Sequence, residues 1–294
     1  MNQRGKEVDK TYLSLETASE RGFIHRDYIA HCLRWSHVAK YLAEKHRYMS
    51  ATILDVGCGR ELPLARTLYS MRLIPLQYFG VDAGPINDDT MSLFKSGKFP
   101  LRVWEKCDIL MISPQDLTFR PDHEDQPNVC TCFEVLEHVE PKHMLNLLAQ
   151  VKHLMSREGV AFFSTPCWNV TDCAANHVNE MRYEALGAIF EATGWTVDQT
   201  WGTFASIRDY EHLLGKDKVM YDGSQLSIRG AFDALREYYD TNVLSCIFAP
   251  LFPTQSRNAL WRVRPVPTAE PKFKKLDQVP APWGSSNRWE EMHP

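Results

Sequence analysis

Two glycines one residue apart, set between an apolar run and a proline-led stretch of helical pattern, mark the first place where this sequence offers chemistry: Asp55-Val56-Gly57-Cys58-Gly59-Arg60-Glu61. Without a Cβ, Gly57 and Gly59 let the main chain approach a ligand closely and adopt conformations that a side chain forbids. Asp82 ends the next apolar run, 23 residues beyond Gly59. An acid there accepts hydrogen bonds from the vicinal hydroxyls of a ribose. A dinucleotide fingerprint needs a third glycine at position 62, where Leu62 stands, so a pyrophosphate cradle is disfavoured. A nucleoside without phosphates, carrying a charged amino-acid group, fits better. The second group is Glu134, Glu137 and His138, spaced i, i+3, i+4, which shares one side if the segment is helical. His177 follows the next strand and falls above the same sheet edge. Glu134, His138 and His177 are candidates for deprotonating an acceptor. With Glu137 they also form a set of carboxylates and imidazoles suited to a divalent metal, which lowers the pKa of an acceptor hydroxyl and holds it.

The elements that must position these residues are legible from periodicity. Short apolar runs at 51–56, 78–82, 101–104, 129–133, 159–164 and 195–201 end in turn residues and alternate with helical patterns at Pro63 to Met71, Pro141 to Ser156 and Glu180 to Thr193. Strands alternating with helices of this length predict a Rossmann-like, doubly wound α/β fold around a seven-stranded, mostly parallel sheet. Residues 8–48 are predicted to be helical, with Tyr28, Cys32, Trp35, Val38, Ala39 and Leu42 on the apolar side and Arg26, Arg34, Lys40 and Glu44 between them. A further helical stretch, Ile228 to Val243, precedes a late strand at Asn258 to Val263. The expected organisation is an N-terminal helical cap (1–49), a core domain (50–264) with a helical insert at about 207–252, and a proline-rich tail (265–294).

Composition bounds the class. The 294 residues are 44% hydrophobic and 24% charged, the proportions of an ordinary globular protein rather than a disordered one. A formal net charge of −4 gives no global positive field toward nucleic acid or anionic lipid. No apolar run approaches the ~20 residues needed to cross a bilayer, and the first residues have no apolar signal core, so a cytoplasmic protein without membrane attachment is expected. The eight cysteines show no C-x-x-C pair and read as reduced, buried thiols.

Ile53-Leu54-Asp55-Val56-Gly57-Cys58-Gly59, Val81-Asp82, Cys107-Asp108-Ile109-Leu110 and Phe133-Glu134-Val135-Leu136-Glu137-His138-Val139, in that order, resemble the class I S-adenosylmethionine-dependent methyltransferases, close to the ubiquinone-type (type 11 and type 23) subfamilies. The resemblance covers roughly residues 50–205, and Ser256 to Trp261 is similar to the family's last strand. It implies S-adenosylmethionine as cofactor. Gly57 and Gly59 would lie against its amino-acid part, Asp55 would orient the ammonium, Asp82 would hold the ribose, Asp108 would accept from the adenine amine and Ile109 would pack on the ring. Phe133 and Glu134 would close the far side. At Glu61, where many members have glycine, the sequence departs from the pattern. The Glu-x-x-Glu-His with a distal His also resembles metal-dependent small-RNA 2′-O-methyltransferases, which implies a metal held by Glu134, Glu137, His138 and His177; the same motif occurs in metal-free type 11 enzymes.

Methyl transfer from a sulfonium requires mainly in-line positioning and a deprotonated nucleophile. The expected activity is therefore transfer of a methyl group to an O or N acceptor on a small molecule or a nucleic-acid component. A resemblance to methyltransferase-like proteins of bacteriophages adds to the nucleic-acid option. The alternative is a cofactor-binding partner subunit or scaffold without turnover. Ser164-Thr165-Pro166-Cys167-Trp168 follows the fifth strand rather than the fourth, which argues against Cys167 as a nucleophile of the cytosine-methylating kind. Aromatic residues of the N-terminal helices and the insert could line an acceptor pocket, but for most of them a place in the helices' own core is expected; Lys272-Phe273-Lys274-Lys275 with Trp283, Arg288 and Trp289 reads equally as charge plus stacking for single strands and as a solvated tail.

Overall fold

The computed structural model describes residues 26–45, 51–95, 97–117, 126–168, 176–205, 207–214, 218–221 and 224–266. The predicted tail beyond residue 266 and the first part of the predicted N-terminal helices lie outside them, and Pro265, taken as the start of the tail, instead ends the last strand.

The alternation of apolar runs and helical patterns resolves into strands β1 (Thr52–Val56), β2 (Gln77–Val81), β3 (Leu101–Trp104), β4 (Val129–Phe133), β5 (Val160–Pro166) and β6 (Trp195–Phe204). A small hairpin, β7 (Lys218–Tyr221) and β8 (Ser224–Ser227), precedes the last strand, β9 (Asn258–Pro265). Helices α1 (Arg26–Lys45), α2 (Pro63–Ser70), α3 (Asp88–Phe94), α4 (Pro141–Leu154), α5 (Tyr183–Ala192), α6 (Ile207–Tyr210), α7 (Ile228–Leu235) and α8 (Thr241–Phe248) connect or cover them.

The sheet order is β3-β2-β1-β4-β5-β9-β6. Neighbours from β3 to β5 pair in parallel, and β9 runs antiparallel between β5 and β6. This is the Rossmann-like seven-stranded sheet expected from the sequence. Every residue of β1 and β2 is buried, because helices cover both faces of the sheet at its centre. Successive residues still divide between the faces. Leu54, Phe79, Cys130, Ala161 and Phe163 pack with Met144, Leu148 and Val151 of α4 and Leu186, Ile189 and Phe190 of α5. Ile53, Tyr78, Val129, Val160 and Phe162 pack with Val38, Ala39 and Leu42 of α1 and Leu64, Ala65 and Leu68 of α2. Each large apolar side chain so buried contributes about 1.5–3 kcal/mol.

The insert has a core of its own, in which Tyr210, Leu214, Ile228, Phe232, Leu244, Phe248 and Phe252 meet. The single helix predicted from Ile228 to Val243 is two, α7 and α8, separated at Arg236–Asp240. Chain connections leave β1 and β4 toward opposite edges of the sheet. The crevice between their carboxyl ends is therefore the topological switch point, where an open α/β sheet receives its ligand.

Candidate cofactor and methyl-transfer site

The glycine loop leaves β1 at this switch point. Gly57 and Gly59 both have positive φ, 67° and 73°, which glycine adopts without strain. The main-chain N–H groups of Gly57 and Cys58 donate to the Val81 carbonyl at 2.8 and 3.2 Å, turning the chain sharply over the end of β2. A Cβ at Gly57 would stand 2.2 Å from Val135 Cγ2, so the loop lies directly against the segment that follows β4. Leu62, at the position of the missing third glycine, itself takes a left-handed conformation with φ 47° before α2 begins. Glu61 accepts from Asn87 Nδ2 at 2.9 Å and from Thr90 Oγ1 at 2.7 Å, tying the loop to the start of α3.

The acids around the loop have distinct surroundings. Asp82 is half-buried, and its two oxygens accept the N–H groups of Gly59 at 2.8 Å and Gly84 at 2.7 Å. Each carboxylate oxygen has a second lone pair, so the residue that shapes the loop retains acceptors for a ribose. Asp55 is buried at 4% exposure, with one oxygen accepting from Thr131 Oγ1 at 2.6 Å and the other from the Tyr78 hydroxyl. Burial pushes its carboxyl up to about 6, against the pull of those two hydrogen bonds. This differs from the direct ammonium contact implied by resemblance, because Asp55 is turned into the protein and engaged there. Asp108 is exposed and caps the short helix Ile109–Met111, with Oδ1 accepting from the Leu110 N–H at 2.9 Å. Ile109 beside it is buried.

After β4 the sequence-based geometry requires correction. Glu134 has φ 55°, and only Leu136–His138 form a turn of 3-10 helix, so Glu134, Glu137 and His138 do not share one side of a helix. Phe133 is half-buried against the cluster under α1 and α2. The Glu134 carboxylate pairs with Arg34 of α1, accepts from Ser164 Oγ at 3.0 Å and accepts from Asn258 Nδ2 at 3.0 Å. Burial would raise its pKa, but Arg34, together with these bonds, brings it below the usual glutamate value. Glu137 is 1% exposed, accepts from Thr165 Oγ1 at 3.0 Å and has Oε1 3.8 Å from His138 Nε2. Burial, with the Glu134 charge nearby, drives its carboxyl well above the ordinary range.

His138 is exposed at the carboxyl edge of the sheet. Its Nδ1 lies 3.0 Å from the Asn176 carbonyl, and because a carbonyl only accepts, Nδ1 carries the hydrogen and the neutral ring keeps a lone pair on Nε2. Burial of the rest of the ring lowers its pKa. The His177 ring stands edge-on to it, with centroids 4.9 Å apart, and His177 Nδ1 bonds to the Glu180 carboxylate. Glu137, His138 and His177 bring one possible ligand atom each within 4.8 Å of one another. The four-residue metal set is not assembled, since Glu134 is held by Arg34 and Asn258, and Glu137 is a buried acid with a raised pKa bonded to Thr165. We assign no metal to these residues and derive no step through one. Cys167 is buried and its thiol is pushed up to about 12 by that burial, the opposite of an activated nucleophile.

The type 23 family model, described as a methyltransferase domain, matches residues 33–215 of the chain. The chain belongs to this family. It is a class I S-adenosylmethionine-dependent methyltransferase. Among solved structures, the methyltransferase is similar to the Burkholderia thailandensis 1,6-didemethyltoxoflavin-N1-methyltransferase, at 13% identity over 90% of this chain and 92% of that one, with a TM-score of 0.49. Magnesium protoporphyrin IX methyltransferase from Synechocystis is similar at 9% identity, 90% and 95% coverage and a TM-score of 0.48. A methyltransferase from Archaeoglobus fulgidus shares 20% identity over 78% of this chain and 94% of that one, with a TM-score of 0.41. No curated protein matches the chain in sequence. No helix among the described residues of the methyltransferase is long and apolar enough to cross a membrane.

Reasoning from sequence missed Arg34, which reads as one polar position among several on an amphipathic helix and is instead 2% exposed. It also missed Asn258 and Ser164, which complete the bonds to Glu134 from β9 and β5.

Proposed function

We propose that this methyltransferase acts on an oxygen or nitrogen acceptor that must lose a proton, borne by a small molecule or a nucleic-acid component, with His138 as the base. The observation that carries this reading is the bond from His138 Nδ1 to the Asn176 carbonyl, which fixes the tautomer and leaves Nε2, 3.8 Å from Glu137 Oε1, as the basic atom of a residue at an exposed position. The lowered pKa supports the same role, since the ring is neutral and ready to accept at pH 7.

S-adenosylmethionine supplies an electrophilic methyl group on a sulfonium that leaves as a neutral thioether. The chain's own part is to bind and orient. In this proposal Gly57 and Gly59 bring main chain against the amino-acid portion, Asp82 accepts from the ribose, and Asp108 and Ile109 meet the adenine. Phe133 and Glu134 close the crevice on the β4 side. Asp55 acts beneath the loop as a positioning residue, holding β1 to Tyr78 and Thr131. His138 Nε2 takes the proton of the acceptor while the acceptor's lone pair forms the new bond to carbon, and the imidazolium then returns that proton to water. His177 packs edge-on against His138 and keeps its ring in place.

The test is transfer of label from methyl-labelled S-adenosylmethionine to cell extract separated into metabolites, RNA, DNA and protein. Label is expected in the metabolite or nucleic-acid fraction, with a rate that rises through a pKa below the usual imidazole value. His138→Gln should lower the rate about 100-fold or more while leaving cofactor binding in place. Wild-type turnover in that variant would remove His138 as the base.

A further inference from the structure

We propose that Arg34 of α1 is a positioning residue for the cationic end of the cofactor: its guanidinium sets the Glu134 carboxylate at the crevice, which makes the N-terminal helix part of the cofactor site. The inference rests on the cofactor reading above and adds to it a residue that lies outside the glycine loop and the acids of the sheet edge.

The geometry is that of a clamp. Arg34 Nη1 donates to Glu134, to Ser164 Oγ at 3.0 Å and toward Asn258 Oδ1 at 3.5 Å, while Nη2 donates to His31 Nδ1. One buried guanidinium thus joins α1 to the ends of β4, β5 and β9. Asn258 is itself held by Thr203 Oγ1 at 2.9 Å and returns two N–H contacts to the Glu134 carboxylate, each 3.0 Å. Glu134 needs such a clamp, because its left-handed φ of 55° is a conformation that a non-glycine residue holds only when its surroundings impose it.

The charge logic gives the clamp a purpose. S-adenosylmethionine brings an ammonium and a sulfonium to the side of the crevice where Gly57 meets Val135, the residue after Glu134. Arg34 pairs with Glu134 and holds its carboxyl below the usual glutamate value while burial raises that of Glu137, so of the two acids described after β4 it is Glu134 whose charged form is favoured. Without Arg34, burial and the bonds from Asn258 and Ser164 would be left to compete, and the carboxyl would take up a proton as the pH falls. The other titratable groups facing it are His31 on α1, Glu137 and His138 after β4, Cys132 on β4 and Cys167 after β5. His31 is held neutral, with its pKa lowered to about 3 by burial and then by Arg34. Cys132 and Cys167 are raised by burial, so none of these replaces Arg34 as a cation at neutral pH.

The experiment is calorimetric titration of the full chain with S-adenosylmethionine at several pH values between 6 and 8, for wild type, Arg34→Met and the double variant Arg34→Met/Glu134→Gln. Asp55 titrates beneath the loop in all three proteins and cancels in the ratio of affinities. The ratio of wild-type to Arg34→Met affinity should grow about tenfold from pH 8 to pH 6, and the double variant should lose that dependence. A ratio that stays constant with pH, or a dependence that survives in the double variant, overturns the proposal, since a merely structural tie would weaken binding equally at every pH. If Arg34→Met does not fold, Arg34→Lys carries the test: it keeps the charge without the fork, and weaker binding with a wild-type pH profile is expected, whereas wild-type affinity overturns the clamp. Absence of binding by the wild type would instead strike the cofactor reading.

Discussion

Asp55 shows how a residue chosen for one task by its motif can be fixed in another by its surroundings. Its carboxyl sits beneath the glycine loop between Tyr78 and Thr131, and burial raises its pKa from 3.8 to about 6. The folded state therefore binds this proton more tightly than the unfolded chain does. Stability from this group is fully present below about pH 4 and is lost as the pH rises through 6, by about 3 kcal/mol. Asp55→Asn keeps the shape and removes the charge, and the Tyr78 hydroxyl can accept from the new amide. Denaturant melts from pH 4.5 to 7 should show the variant gaining on wild type as the pH rises. A constant difference would contradict the buried, titrating carboxyl. Burial raises the Glu137 carboxyl in the same way, whereas Arg34 lowers that of Glu134, a few residues away.

At the scale of elements, the glycine loop and the turn after β4 are built against each other. Gly57→Ala would place a methyl 2.2 Å from Val135 Cγ2 at a φ of 67° that alanine avoids. A loss of about 2–3 kcal/mol of stability and weaker cofactor binding are expected, measured by thermal melting and calorimetry, and wild-type values for both would show that the loop does not need glycine there. The strands, the loop and the order of the acids were legible in the sequence because parallel strands buried on both faces are continuous apolar runs, and because the first two runs end at Gly57 and Asp82. The turn after β4 was not. Its i, i+3, i+4 spacing suggests a helix, and nothing local signals that Glu134 takes a positive φ. Arg34 was hidden for a related reason, since a helix pattern cannot tell a solvated arginine from one whose carboxylate partner lies 100 residues away. The β7–β8 hairpin and α3 are short, and periodicity has too few residues to register in elements of that size.

At the scale of the molecule, α1 and the insert lie around a sheet whose switch point carries the site. Glu137, His138 and His177 lie close together at that edge, but Glu134 is engaged with Arg34, His177 with Glu180 and Glu137 with Thr165. Turnover measured after dialysis against a strong chelator should equal that of untreated protein, and loss of activity restored by a divalent cation would return the metal to the site. The central claim is that S-adenosylmethionine settles at the carboxyl ends of β1, β2 and β4 and is gripped by Asp82. Calorimetry of wild type and Asp82→Ala with that compound tests it most directly: the account predicts saturable binding by the wild type and a loss of about tenfold or more in the variant, from hydrogen bonds to a charged group. No heat with the wild type, or equal affinity in the two proteins, would contradict it.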